Sequence, residues 1–215
     1  MQMKYHVKNK HFLICFISTL IILSCSGATF AISPINIFDS NNTNNDLKHQ
    51  ASKIILDGLS SESPQIRGNA IETAAGTANR QFMPAIVKLT KDDLVPIKFA
   101  AAVAIGDTKY STAKNNISEL LKDNDENVRL AACYCFYMLN GSKSYIQQLR
   151  ANINDDNQQI RANSIFLLGK IADKKDLPLF YQALRNENSD DRTRLNAIEA
   201  IARLGDTKIY QKIWA

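Results

Sequence analysis

Cys133 and Cys135 stand two residues apart in this 215-residue sequence. A thiol pair of that kind invites three chemistries: a disulfide, a metal site or redox exchange. The pair falls within LAACYCFYML, residues 130 to 139, a stretch with helical character. Residues two apart on a helix point about 200° from one another, so the two sulfurs cannot meet unless the helix unwinds. Cys133 also takes the place held by Ile71, Ile165 and Ile198 in equivalent stretches, which predicts a small core side chain. Histidine is scarce: of three, only His49 lies beyond the first 31 residues. A His-dependent triad or a zinc site of His and Cys ligands therefore lacks partners, and no cofactor, metal or catalytic residue is expected. Asp and Glu cluster in short loops before helical segments, where they cap the next helix or pair with a base. The expectation is a protein that is not an enzyme.

The net charge of +5 suggests a polyanion partner until it is located. Lys4, Lys8 and Lys10 account for three of the bases, and residues 1 to 31 contain no acid. Beyond them, 23 bases face 21 acids, a net of +2, which argues against nucleic acid as partner. The first 31 residues read as a secretory leader: a basic start, an apolar run from Phe12 to Leu23 broken only by Ser18 and Thr19, then small residues. That run is too short to span a bilayer comfortably. Cleavage would follow Ala28 or Ala31. The alternative is a lipoprotein leader, because Ile22, Leu23 and Ser24 before Cys25 resemble a lipobox; Cys25 would then carry lipid, the one route by which a membrane becomes a partner. Either way the chain is expected to be exported, to the periplasm or outside the cell. Residues 32 to 46, ISPINIFDSNNTNND, have no apolar period and read as a flexible Asn-rich tether.

From residue 47 to the end the sequence repeats itself. An apolar residue followed by a base opens successive Ala-rich segments at Arg67, Lys98, Arg129, Arg161 and Arg194, with spacings of 31, 31, 32 and 33. Apolar residues at Leu59, Leu89, Leu121, Ile153 and Leu184 keep step with them. A period of this size is the mark of stacked helix pairs. Each unit holds a short first helix, two of which open at Pro84 and Pro178, and a second helix whose positions three, four, seven and eight after the base share one face. In the second unit Gly106-Asp107 comes three residues earlier than Gly205-Asp206 does in the fifth, which predicts a second helix about one turn shorter. Tyr210, Ile213 and Trp214 sit at helical spacing and predict a closing helix.

These residues, with DNDENVRLAA at 123 to 132 and RLGDTK at 203 to 208, resemble HEAT repeats of the phycobilisome-lyase subtype. The resemblance implies an all-α superhelix of about five stacked helix pairs. It also implies a spine ladder in which an Asp lies six residues before each base: Asp92 with Lys98, Asp123 with Arg129, Asp155 with Arg161. Ser61 and Asn188 replace the Asp in the end units. The same geometry would turn positions two, five and nine after the base toward a concave surface. There the chain places Val103, Tyr134, Met138, Asn163, Phe166 and Lys170. Apolar and aromatic side chains among polar ones suit a protein-binding surface, while Tyr134 and Phe166 could equally fill gaps between helices. The functional expectation is a scaffold that holds a protein or peptide on its concave face; the alternative is an enzyme subunit of the bilin-lyase kind.

Overall fold

The computed structural model describes residues 42–209, and every element of secondary structure among them is helical. Five pairs follow one another: α1 (Asn42–Leu59) with α2 (Pro64–Gly76), α3 (Met83–Lys88) with α4 (Val95–Asp107), α5 (Lys114–Leu120) with α6 (Glu126–Asn140), α7 (Lys143–Ala151) with α8 (Gln158–Ile171), and α9 (Leu177–Arg185) with α10 (Asp191–Arg203). This is the expected all-α solenoid. The leader, Cys25 and the closing helix at Tyr210, Ile213 and Trp214 lie outside the described residues.

Local chemistry sets the helix ends. Pro64, Pro84, Pro96 and Pro178 occupy first-turn positions, where a missing N–H has no helical partner to lose. The side chains of Asp125, Asn157 and Asp190 accept bonds from the first free amides of α6, α8 and α10. The first helix starts at Asn42, so residues 42 to 46, expected in the tether, are helical; Gln50 Nε2 donates to Asp46 Oδ2 one turn back at 3.1 Å.

The second helices stack on one another, α2 on α4, α4 on α6, α6 on α8 and α8 on α10, and α3, α5, α7 and α9 each pack against the second helix of their own pair. Ile71, Ile105, Ile117, Leu149, Ile165, Leu168 and Phe180 are fully buried between the layers. Each such side chain contributes about 1.5–3 kcal/mol relative to exposure. Small residues set how closely the helices approach. A Cβ on Gly169 would come within 2.8 Å of Ala200 Cβ, and one on Gly106 within 2.9 Å of Tyr134 Cε1 and 3.1 Å of Cys135 Cα.

Gly106 also corrects the expected short helix. Both α4 and α10 contain 13 residues and end nine residues after their base. The two Gly-Asp pairs do different work: Gly106 is helical and admits Tyr134, whereas Gly205 lies beyond α10 at φ +77°, a conformation that glycine adopts without strain.

Candidate functional site

The carboxylates of Asp92 and Asp123 meet the base of the preceding unit and not the one six residues on, and that of Asp155 is bonded within its own loop. Each Asp bonds its own loop: Asp92 Oδ1 accepts from Leu94 N, Asp123 Oδ1 from Asp125 N and Asp155 Oδ1 from Asn157 N. Arg67, Arg129 and Arg161 reach back five and six residues to backbone carbonyls and do not pair with a carboxylate at that spacing. Arg129 Nη1 donates to the carbonyls of Asp123 and Asn124, and Arg161 Nη1 to those of Asp155 and Asp156. Carboxylate pairing runs between units. Arg67 Nε lies 2.9 Å from Asp92 Oδ2, and Lys98 Nζ binds Asp123. Burial alone would raise the Asp123 pKa, but the Lys98 hydrogen bond, the Asp125 amide and the charges of Lys98 and Arg129 together hold it below its ordinary 3.8. Toward the C-terminus the rungs change: Arg129 turns to Glu126 at 3.7 Å, and Arg161 Nη2 donates to the carbonyl of Asn188, which replaces the missing Asp.

On the opposite side the second helices curve inward far enough for units two and four to touch across unit three. The Phe99 ring of α4 lies 6.4 Å from the Phe166 ring of α8, centroid to centroid. Lys170 Nζ of α8 sits 2.9 Å from Asp107 Oδ2 at the end of α4, and 5.6 Å from the centre of the Phe166 ring. Beneath this bridge lies Tyr134, 1% exposed, with its hydroxyl donating to Asp107 Oδ1. Burial, together with the Asp107 charge, pushes the phenol well above its ordinary range.

The concave assignments are corrected accordingly. Val103 (8% exposed), Tyr134 and Asn163 (3%) are buried and cannot anchor a partner from outside. Asn163 is held by its neighbours, donating through Nδ2 to Asn127 Oδ1 at 2.7 Å and accepting from Arg192 Nη2 at 2.8 Å. Met138, Phe166 and Lys170 are partly exposed. The physical reason is curvature: position five in the middle unit is roofed by positions one, five and nine of the units on either side. Cys133 and Cys135 are buried free thiols, as the helical spacing predicts. Burial pushes Cys133 up to about 11 and Cys135 up to about 12, so neither is a ready nucleophile.

Sequence reasoning missed the position one residue after each base. It reads Gly68, Phe99, Leu130, Ala162 and Leu195, on the face shared with position five. Phe99 forms the bridge from this position, and Leu195 stands 62% exposed on α10. The opposite charges of Asp107 and Lys170, both nine after their bases and two units apart, were the available signal for the bridge. On the ladder side a polar cavity of about 550 Å³ opens between the loops of units four and five, lined by Asp155, Asp156, Arg161, Glu187 and Asp190 among others. Among the described residues no three His, Cys, Asp or Glu side chains group as metal ligands, and no helix is long and apolar enough to cross a membrane.

Solved structures similar to the chain are helical-repeat proteins. One is the complex of CpcE and CpcF of phycocyanin lyase from Nostoc sp. PCC7120, at 13% identity and TM-score 0.47, covering 89% of this chain and 97% of that one. Another is a designed armadillo repeat protein in complex with the peptide (KR)4, at 16% identity and TM-score 0.37, covering 76% and 86%. At these identities the likeness concerns the fold alone. No curated protein matches the sequence. The HEAT repeats family profile matches residues 52–137 and 146–214, the stretches that hold the stacked pairs, and the chain belongs to the HEAT-repeat family.

Proposed function

We propose that this chain is an exported, non-catalytic scaffold that binds a protein or peptide, and that binding centres on the concave side of its last two units. The observation that carries the reading is Leu195. It is a large apolar side chain, 62% exposed at the position that holds the bridging Phe99 in unit two, with the exposed Arg192 and the partly exposed Glu199 on the same helix. Partly exposed Phe166 and Lys170 occupy the neighbouring helix α8. An exposed apolar group flanked by charged ones is the composition of a protein-binding hot spot. Export is supported by the leader in the sequence, with cleavage after Ala28 or Ala31 and acylation of Cys25 as its two forms.

The test is affinity capture from the native host's envelope with wild-type protein and with Leu195→Asp. A specific partner retained by the wild type should be lost at least about tenfold in the variant, with melting unchanged because Leu195 is exposed. Equal capture by both proteins, or none above a bead control, contradicts the assignment. Intact mass of the protein from the same host checks export; a dominant species still beginning at Met1 contradicts it.

A further inference from the structure

The connection that follows each second helix carries or leads directly into an exposed base: Arg80, Lys109, Lys143 at the start of α7, Lys174 and Lys208, one for each of the five units. Lys114 and Lys175 add to the row. The acids on the same edge are engaged by the chain itself. Asp107 is taken by Lys170 and Tyr134, Asp173 and Asp176 by Arg150, and Asp206 by the Tyr181 hydroxyl. Among the described residues, none of the seven bases has an ion-pair partner. The other edge, between first and second helices, exposes the acids Glu62, Asp93, Asp156 and Glu187 interleaved with the bases Lys88, Lys91, Lys122 and Arg185. One edge thus carries unpaired bases whose neighbouring acids are engaged, while the other carries both signs, a difference that a net charge of +2 beyond the leader conceals.

We propose that this basic edge docks on an anionic lipid surface. The bases stand in or at the end of the connections between units, at intervals set by stacked helices roughly 10 Å apart. A plane of headgroups meets such a row without needing a groove. An extended peptide needs backbone partners or pockets along its path, and the polar cavity described above lies on the opposite edge, lined by Asp155, Asp156, Glu187 and Asp190. With the bases on the surface, the edge that holds the exposed acids faces away from it, so the field of an anionic leaflet orients the molecule as well as attracting it. Lipid docking uses neither Leu195 nor the concave side, so it can fail or hold independently of the function proposed above.

The experiment uses residues 32–215, which contain the whole compact unit from Asn44 onward. The protein is sedimented with vesicles of phosphatidylcholine alone, or of phosphatidylcholine and phosphatidylglycerol in equal parts. Binding should appear only with phosphatidylglycerol and fall as salt rises. Reversing Lys109, Lys143 and Lys174 to Glu together should weaken it about a hundredfold or more. Reversing the exposed Lys53, Lys88 and Lys122 to Glu, the same change in net charge placed elsewhere, should weaken it far less, with melting curves showing both variants folded. Absence of binding, equal binding to neutral vesicles, or equal loss in the two variants overturns the proposal. So does capture of polyglutamate, duplex DNA or a second copy of the chain in place of the vesicles.

Discussion

Asp123 shows what a single ladder residue does. One oxygen bonds the Asp125 amide that starts the next turn, and the other takes the Lys98 ammonium from the preceding unit, so one carboxylate fixes a loop and joins two repeats. Its pKa is lower in the folded chain than its ordinary 3.8, as is that of Asp190 at the N-terminus of α10. A carboxylate held down by folding contributes stability that is complete above its unfolded pKa and disappears as pH falls through its folded one. Stability measured by urea unfolding should therefore be flat near neutrality and decline as pH drops from about 5 toward 3. Asp123→Asn should be less stable at pH 7 and show a shallower decline, while unchanged slopes would remove Asp123 from the ladder. The Asp-to-base spacing was legible in the sequence because it recurs. Which base meets which acid was not, since pairing crosses between units and depends on how far each helix is offset from the next.

At the scale of elements, the period near 31 residues sufficed to place five helix pairs, because base, apolar stop and Ala-rich face repeat together. One dipeptide, Gly-Asp, has two uses: after α10 its glycine turns the chain, whereas Gly106 within α4 is a gap for the Tyr134 ring, and only the packing of a neighbouring helix distinguishes a glycine that turns the chain from one that makes room. Gly106→Ala should consequently destabilise the fold by about 1–3 kcal/mol through overpacking, despite alanine's higher helix propensity. Gly76, where an added Cβ meets nothing within 4 Å, supplies the control: Gly76→Ala should be neutral or stabilising by up to about 1 kcal/mol. Equal effects at the two sites, read from thermal or urea unfolding, would mean that α4 and α6 are not this close.

For the repeat unit as a whole, curvature decides what surface is available. Helical phase gives Val103, Tyr134 and Phe166 one common face, and of the three only Phe166 is partly exposed. Whether that side is open depends on the small rotation from unit to unit, accumulated over three repeats, and no single spacing encodes it. Here the accumulation brings α4 and α8 together over α6, turning the middle of a would-be groove into core. In a gently curved solenoid, by contrast, units two and four touch only through unit three and are energetically independent when it is intact. A double-mutant cycle on Asp107 and Lys170 separates these cases most directly, with Asp107→Asn, Lys170→Met and the double variant compared by urea unfolding. The closed geometry predicts a coupling of about 0.5–1 kcal/mol between residues two units apart. Additive effects, with no coupling beyond error, would contradict the closed inner face and return Tyr134 to solvent.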